Sequence, residues 1–355
     1  MSSENGASSG ATLRVGIIGA GKPWKTEGST GFGMSRAHAD GYNCLPQCRI
    51  VAVCDLIRER AEEFNETKVG GQAEIYQDYP TMLSEASLDM VSVCTWPDLH
   101  APVVLAAAAA GVRAIHCEKP MAATWGEARQ MEQTCRERGV QLTFNHQRRF
   151  LDTFQAARRL LKEGTIGELK RIEGSCGDLS DWGTHWLDMF GFYNDEVPGE
   201  WVMAQVDVRR PRLVFGVPVE SQGICCIRYR NGVHALLYTG EEAAEIVGCA
   251  NRLIGTEGVI EVHSEAPNVR YRTSQDNKWQ TVETTEGLHD GVANIRSVGD
   301  AVAALVEGRR PLHSSAHAIQ STEIIFAAYE SARRRGRIDL PLTGVEDSPL
   351  RAMIA

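Results

Sequence analysis

Short apolar segments alternate with amphipathic ones through the first 144 residues of this 355-residue chain. The first apolar segment is rich in β-branched residues and ends in a glycine-rich turn. Two later helical segments are followed by Gly111 and Gly139, and glycine is typical just after a helix. Strands that alternate with helices predict a parallel sheet covered by helices on both faces. The predicted strands are 13–18, 49–54, 90–94, 112–117 and 140–144, and the predicted helices are 37–45, 58–64, 102–110 and 125–138.

The pattern changes after about residue 149. One helix, 154–162, precedes a series of strand-like segments separated by turn signals such as Asn231-Gly232. Consecutive strands joined by tight turns predict an antiparallel sheet. Two helices, 290–307 and 315–335, then complete an α+β arrangement. The strand-like segments are 167–176, 200–208, 221–229, 233–239, 247–255, 258–263 and 268–273.

Composition narrows the range of partners. The net charge of −9 argues against a nucleic acid or an anionic membrane as the main partner. No apolar run approaches the ~18–20 residues that span a bilayer. The polar segment 1–12 has no apolar core typical of a signal peptide, so we expect a disordered tail on a cytoplasmic protein. The ten cysteines are expected to be reduced, and the pair Cys44-x3-Cys48 lacks a second ligand pair, so no metal site is predicted.

Gly19-x-Gly21 directly follows the first predicted strand. In dinucleotide-binding folds, the first glycine makes a tight turn and the second lets the pyrophosphate approach the backbone. The third glycine is displaced by an insertion at 22–30, and we assign it to Gly33, which would open the next helix toward the phosphates. The interrupted motif is also compatible with an ordinary glycine-rich loop. It therefore predicts a cofactor site only together with other features.

Asp55 ends the second predicted strand. An acidic side chain at this position can accept hydrogen bonds from ribose hydroxyls. Its carboxylate would repel a 2′-phosphate, which favours NAD over NADP, although Arg58 nearby leaves NADP open. Asp55 could also cap the helix that follows, and the two roles are compatible.

Glu118-Lys119-Pro120 follows the apolar segment at 112–117. A lysine at the end of a buried strand is costly, because burial favours the neutral amine, which can share protons with a ligand. Glu118 and the fixed φ of Pro120 would aim the lysine side chain. Taken alone, the tripeptide is typical of a surface turn, and its position downstream of the glycine motif makes a functional role the better interpretation.

Asp181 and His185 lie in a segment rich in ionisable and aromatic residues, 177–188. If a helix begins there, the two side chains lie at i and i+4 on one face. A histidine beside a carboxylate can remove a hydroxyl proton near neutral pH. Combined with a nicotinamide that accepts hydride, such a base predicts oxidation of a carbinol. The structural alternative is an aspartate that caps the helix and a histidine that packs on aromatic neighbours.

In order and spacing, these motifs resemble the Gfo/Idh/MocA family of oxidoreductases. The resemblance covers 13–342 and includes the segment 95–100 and Arg148-Arg149-Phe150. It implies a Rossmann NAD-binding domain at 13–148, followed by an α+β domain at 149–355 with a large, mostly antiparallel open sheet. It also implies a homo-oligomer, dimeric or larger, assembled through that sheet. The insertion at 22–30 and Trp96 depart from the family pattern, and we interpret the insertion as a lid or a subunit contact.

The resemblance further implies roles for individual residues. Lys119 would lie near the nicotinamide and the substrate hydroxyl, His185 would be the general base, and Asp181 would orient His185 or bind an adjacent hydroxyl. Arg149 and Trp182 are the candidate substrate contacts, although Trp182 could equally pack in the core. The residues expected to bind the cofactor are Gly19, Gly21, Gly33, Asp55, Thr95, Pro97, His100, Glu118 and Asn145.

The sequence thus favours an NAD-dependent dehydrogenase. The expected substrate is a secondary hydroxyl of a sugar, a glycoside or a cyclitol, including C3 of a glycoside. An alternative is a glycoside-cleaving enzyme whose tightly bound NAD is reduced and reoxidised within each cycle. A regulator that only senses the nucleotide is the third hypothesis, and the set Lys119, Asp181 and His185 argues against it.

Overall fold

A six-stranded parallel sheet forms the first layer of the structure, a computed structural model that describes residues 12–29, 31–264 and 268–354. Apart from residue 12, the predicted tail at 1–12 lies outside these residues. The strands follow the order β3-β2-β1-β4-β5-β6, so the strand order reverses between β1 and β4. They are β1 (Leu13–Ile18), β2 (Cys48–Cys54), β3 (Glu74–Tyr76), β4 (Met90–Val93), β5 (Ala114–Cys117) and β6 (Gln141–Phe144).

Helices connect these strands as the alternating pattern predicted. The five predicted strands are confirmed within two residues, but β3 and the helix after it were missed because Glu-Ile-Tyr is too short to give an apolar run. The prediction of a helix from residue 102 was wrong at its start: Pro97 occupies the first turn, where a missing N–H costs nothing. The helices are α1 (Met34–Asn43), α2 (Arg58–Phe64), α3 (Tyr79–Glu85), α4 (Pro97–Ala109) and α5 (Trp125–Arg138), and a π-helix spans Asn65–Val69.

A nine-stranded mixed sheet forms the second layer, with the order β16-β15-β14-β13-β7-β12-β11-β8-β17. All its pairs are antiparallel except β7 with β12, so the mostly antiparallel prediction is confirmed. Its strands are β7 (Leu169–Cys176), β8 (Gly199–Asp207), β11 (Gln222–Tyr229), β12 (His234–Gly240), β13 (Asn251–Gly255), β14 (Gly258–Val262), β15 (Val269–Thr273), β16 (Gln280–Val282) and β17 (Ile338–Asp339).

Other elements surround this sheet. The hairpin β9 (Arg212–Val214) and β10 (Val217–Val219) was not predicted. The strand predicted at 247–255 begins only at Asn251, and Val247 is the last residue of a helix. A 3-10 turn, Gln147–Phe150, joins the two layers. Within the described ranges, no helix is long and apolar enough to cross a membrane. The helices are α6 (Asp152–Lys162), α7 (Gly183–Tyr193), α8 (Ala243–Val247), α9 (Val292–Glu307), α10 (Ser315–Arg334) and α11 (Pro349–Ile354).

The two faces of the second sheet differ in burial. Val202 on β8 and Ile227 on β11 point to the covered face and are fully buried. Met203 on β8 and Ile224 on β11 point to the other face and are 51% and 41% exposed. Because side chains alternate along a strand, this difference defines one open, apolar-rich face.

Helix α9 returns to the first sheet. Val298, Ala301 and Val302 belong to the same buried cluster as Val15 on β1, and a Cβ added at Gly41 on α1 would lie 2.7 Å from Val298. This close packing places α9 against the first layer. We propose the domains 13–148 and 149–355, and α9, which belongs to the second range, packs against the sheet of the first.

Candidate active site

An open cleft of about 350 Å³ lies at the carboxyl ends of the first sheet's strands, facing α7 of the second layer. This edge, where the strand order reverses, is the usual ligand site of open parallel sheets. Residues that follow β1, β4 and β5 form one wall, and residues at 181–185 and 288–294 form the other. Of the residues predicted for the site, Gly19, Gly21, Gly33, Thr95, Pro97, Glu118, Lys119, Asp181, Trp182 and His185 line the cleft.

The glycines of the first turn are required by the backbone. Gly19 has φ +90°, and a Cβ there would lie 2.8 Å from the carbonyl oxygen of Cys94. Gly33 has φ +65° immediately before α1, and a Cβ there would lie 2.7 Å from the carbonyl oxygen of Lys22. Gly33 and the first residues of α1, Met34 and Ser35, line the cleft, so the N-terminus of α1 faces it, as a phosphate-binding helix requires.

Asp55 braces this glycine turn from the end of β2. Its Oδ2 accepts a hydrogen bond from the Gly21 N–H at 2.9 Å, and its Oδ1 accepts one from the Ile57 N–H at 2.9 Å. The carboxylate therefore joins the phosphate turn to the residue before α2. The N-cap of α2 is Ile57 and no side chain caps it, so the capping role considered for Asp55 was wrong.

Glu118 is a buried carboxylate in the wall beside the glycine turn. His38 Nε2 lies 3.0 Å from its Oε1, and the Asn145 amide donates to the same oxygen at 2.7 Å. Burial pushes the pKa of Glu118 upward, but the hydrogen bond and charge of His38, with Lys119 and Asn145, hold it below its ordinary value. Glu118 is thus an ionised side chain with a fixed position.

Two predicted cofactor residues lie behind this wall and do not line the cleft. Asn145 is buried, and its amide also donates to Asn294 Oδ1 at 2.9 Å. His100 is fully buried, with its ring nitrogens 2.9 Å from the Pro120 carbonyl oxygen and 3.1 Å from that of Thr95. The expectation that His100 lines the cleft was wrong, because both ring nitrogens are held by backbone carbonyls.

Lys119 and Asp181 form an ion pair across the cleft. The Lys119 Nζ donates to Asp181 Oδ1 at 2.6 Å and lies 3.3 Å from the Asp181 carbonyl oxygen. The Asp181 N–H donates to Asp178 Oδ1 at 2.6 Å, which fixes the loop that carries it. The Lys119–Pro120 peptide bond is cis. The pair joins the end of β5 in one layer to the loop before α7 in the other.

His185 lies in the first turn of α7 and is 5% exposed. Because α7 begins at Gly183, Asp181 precedes the helix and pairs with Lys119, so the predicted i, i+4 pairing of Asp181 with His185 was wrong. Burial, followed by the charges of Arg148 and Lys119, holds the pKa of His185 well below its ordinary value. The imidazole is therefore neutral at physiological pH. Its Nδ1 has no hydrogen-bond partner among the described residues.

The adjacent arginines of the 3-10 turn have different surroundings. Arg149 is fully buried and donates to Asp188 at 2.7 and 2.8 Å and to Glu196 at 2.6 Å. The prediction that Arg149 contacts the substrate was wrong, because these two carboxylates enclose its guanidinium away from the cleft. Arg148 lines the cleft instead, next to Trp182. Successive residues of a 3-10 turn point about 120° apart, so only one of these two arginines can face the cleft.

The sequence analysis missed other lining residues. Gln147 comes from the same turn, and its Oε1 is buried without a partner among the described residues. His289 comes from the segment before α9, and Asn294 lies in the first turn of α9. Nothing in the local sequence marks these residues, since the return of α9 to the first sheet is a tertiary feature.

The cleft fits a dinucleotide. The glycine turn and the N-terminus of α1 would hold the pyrophosphate, Asp55 would lie at the adenosine ribose, and the wall of Thr95, Pro97 and Glu118 would hold the nicotinamide. The Thr95 Oγ1 is buried without a partner in the described part of the chain, as expected of a side chain whose hydrogen bond is made to a ligand. No group of three or more His, Cys, Asp or Glu residues in the described ranges is arranged to hold a metal ion.

Comparison with known proteins agrees with this geometry. Residues 13–146 match a family model described as an oxidoreductase family with an NAD-binding Rossmann fold, named GFO_IDH_MocA. The chain is 26% identical to D-apiose dehydrogenase of Paraburkholderia graminis over 86% of this chain and 87% of that protein. It is 32% identical to D-glucoside 3-dehydrogenase of Escherichia coli K12, over 54% of this chain and 50% of the relative.

A solved structure supports the fold across both layers. Levoglucosan dehydrogenase in complex with NADH and levoglucosan superposes with a TM-score of 0.77, covering 93% of this chain and 100% of the other, at 23% identity. At that identity the likeness concerns the fold alone. The family match over residues 13–146, with a relative similar across most of the chain, supports a Gfo/Idh/MocA-type oxidoreductase with an NAD-binding Rossmann layer.

Proposed function

We propose that the protein is an NAD-dependent dehydrogenase that oxidises a secondary hydroxyl of a sugar, a glycoside or a cyclitol to a ketone. The observation that carries the proposal is the convergence of Lys119, Asp181 and His185 in the cleft that begins at the glycine turn. Relatives named as dehydrogenases of D-apiose, D-glucosides and inositol support this substrate class.

NAD⁺, when bound, supplies the acceptor for the hydride that leaves the carbinol carbon. The neutral imidazole of His185 takes the hydroxyl proton, because burial and neighbouring cations keep it unprotonated. The ammonium of Lys119 stabilises the developing alkoxide through a charge-assisted hydrogen bond. Asp181 holds the Lys119 Nζ in place at 2.6 Å, and Trp182 offers an aromatic face to the sugar ring.

The proposal is tested by incubating the purified protein with NAD⁺ and matched panels of free sugars, methyl glycosides and cyclitols. NADH absorbance and product mass are followed in the same reactions. We expect stoichiometric NADH and a product two mass units lighter for at least one panel. Wild-type protein that reduces no NAD⁺ with any panel, and releases no aglycone, would exclude the proposed chemistry.

Redox-neutral cleavage of a glycoside is the second candidate function. It requires NAD to stay bound between the two half-reactions. Three aromatic side chains that line the cofactor side of the cleft, and contact one another in series, favour retention of the cofactor. Trp24 of the insertion packs on Phe32 with ring centroids 5.4 Å apart, and Phe32 meets Phe215 of the β9–β10 hairpin at 5.9 Å. Aglycone release without accumulation of NADH would favour this candidate over the dehydrogenase.

We also propose that the protein is a homo-oligomer assembled through the open face of the second sheet. On that face Met203, Cys226 and Leu236 lie in one row across β8, β11 and β12. Ile224 lies in the adjacent row. An apolar face of this kind is typical of a protein contact surface.

A further inference from the structure

Arg148 is a buried cation that lines the cleft, and among the described residues nothing accepts a hydrogen bond from its Nε or Nη1. Its side chain is 4% exposed, and its Nε and Nη1 are paired with nothing in the part of the chain that the structure describes. The neighbouring Arg149, equally buried, is neutralised by Asp188 and Glu196. A buried charge without partners is costly, and buried donors are almost always satisfied. Arg148 is therefore a donor group that lacks its acceptor.

Two tryptophan rings pack on the Arg148 guanidinium, and they contact its faces without accepting its N–H hydrogen bonds. The guanidinium carbon lies 4.0 Å from the ring centroid of Trp186 and 5.3 Å from that of Trp182. A cation–π contact uses the face of the guanidinium, whereas its N–H donors lie in the plane and point outward from the edge. The two tryptophans hold the group in position and leave the donors of its edge without acceptors.

The nearby carboxylates are already occupied. Asp181 and Asp188 are the carboxylates whose charges act on Arg148. Asp181 is paired with Lys119, and Asp188 is paired with Arg149. Burial lowers the pKa of Arg148 to about 9, which leaves it charged at neutral pH. Asp181 and Asp188 act on Arg148 only through their charges, and among the described residues neither accepts a hydrogen bond from it, so an anionic ligand in the cleft would find free donors there.

We propose that Arg148 binds a carboxylate carried by the substrate, so that the preferred substrates are uronides or other polyhydroxy acids. A carboxylate matches the planar guanidinium edge with two parallel hydrogen bonds. The unpaired Gln147 Oε1, contributed by the same turn, accepts a substrate hydroxyl beside it. This inference rests on the proposed oxidation of a sugar hydroxyl and specifies which sugars are oxidised.

A matched pair of substrates tests the proposal. Methyl β-D-glucoside and the corresponding methyl β-D-glucuronide differ only in the carboxylate at C6. We expect the wild-type kcat/KM to be at least about tenfold higher for the glucuronide. Arg148→Leu should lower kcat/KM for the glucuronide by roughly 100-fold and for the glucoside by less than about threefold. Arg138→Leu, the same change at an exposed position outside the cleft, should alter neither value.

The opposite outcomes are equally clear. A wild-type preference for the neutral glucoside, or an Arg148→Leu variant that lowers both values equally, would overturn the assignment of Arg148. Failure of both glycosides to reduce NAD⁺ would count against the proposed function instead.

A binding measurement decides the role of Arg148 independently of turnover and of whether the variant folds. Wild-type protein loaded with NADH is titrated with gluconate and with glucitol, which differ in the carboxylate. At least about tenfold tighter binding of gluconate is expected, and equal affinity for the two would reject the carboxylate site.

Discussion

The ammonium of Lys119 and the carboxylate of Asp181 meet 2.6 Å apart, although one follows β5 and the other precedes α7. This ion pair spans the cleft between the two layers of the molecule. Both side chains are largely buried, so each charge depends on the other for compensation. The pair fixes the position of a cation at the point where we propose that a substrate alkoxide develops.

Removal of the Lys119 cation should abolish most turnover. We expect Lys119→Ala to lower kcat by roughly 10²- to 10⁴-fold, because the alkoxide loses its charge-assisted hydrogen bond. NAD binding, measured by fluorescence titration, should change little, since the glycine turn and not Lys119 would hold the pyrophosphate. Lys170→Ala, an exposed lysine on β7, serves as the control. Turnover of Lys119→Ala within threefold of wild type would remove Lys119 from the mechanism.

Replacing Gly33 should weaken NAD binding more than replacing Gly139, which has a similar φ. Gly33 and Gly139 have φ of +65° and +68°, but only at Gly33 would a Cβ meet backbone, 2.7 Å from the Lys22 carbonyl oxygen. Both alanine variants should lose about 1 kcal/mol of unfolding free energy. Gly33→Ala should in addition weaken NAD binding by about tenfold, because the phosphate turn must shift. Equal NAD affinities in the two variants would contradict this account of the turn.

Buried histidines should make the protein less stable in acid. Burial, together with the charges of His38 and His313, holds the pKa of His116 well below its ordinary value. Below about pH 6.5 the unfolded state binds the proton and the folded state does not, so the free energy of unfolding falls as pH falls. Burial acts in the same direction at His146, whose pKa is lowered to about 4.

The replacement His116→Phe should remove one such group. In urea unfolding between pH 5 and 6.5, we expect the slope of unfolding free energy against pH to decrease by up to about 1.4 kcal/mol per pH unit. The phenyl ring would retain the stacking on His38, whose ring centroid lies 4.5 Å away. Identical slopes in the variant and the wild type would show that His116 is not protonated on unfolding in this range.

Arg149 should act on stability and not on substrate binding. Arg149→Met leaves the buried carboxylate of Asp188 uncompensated and should cost about 3–5 kcal/mol of unfolding free energy. The double variant Arg149→Met/Asp188→Leu should recover part of that loss, because the isolated charge is gone. The KM of the folded Arg149→Met variant should stay near that of wild type. A large rise in KM at unchanged stability would restore Arg149 as a substrate contact.

Charges on the open face of the second sheet should disrupt the proposed oligomer. Met203→Glu and Ile224→Glu introduce carboxylates at positions that are 51% and 41% exposed, so each should be tolerated by the monomer. Light scattering after size exclusion should show a larger mass for wild type than for the double variant. Leu213→Glu, at a 73% exposed position on the hairpin, provides the control. A wild-type protein of monomer mass would exclude the proposed assembly.

Much of the first layer could be predicted from the sequence because its signals are local. Apolar strands, helix-ending glycines and the turn Gly19-x-Gly21 depend on neighbours in the chain, and the strands were confirmed within two residues. The short β3 and the hairpin at 212–219 were missed, since three-residue strands carry too little periodicity to be recognised.

The identity of the main site residues could be predicted from the sequence, but their contacts with one another could not. Lys119, Asp181 and His185 were selected from motif order, and all three line one cleft. Their pairing was not predictable: Asp181 reaches Lys119 across the cleft because α7 begins only at Gly183. The choice between Arg148 and Arg149 likewise depended on which side of the 3-10 turn holds Asp188 and Glu196.

The sequence by itself determined the alternation of strands and helices, the glycine turn and the residue types that the chemistry requires. These follow from backbone sterics and from the burial of apolar side chains, which act over a few residues. Only the tertiary structure decided which charges neutralise one another, which arginine lacks a partner and which layer receives α9. Those outcomes depend on contacts between residues far apart in the chain, whose distances are set by the packing of two sheets.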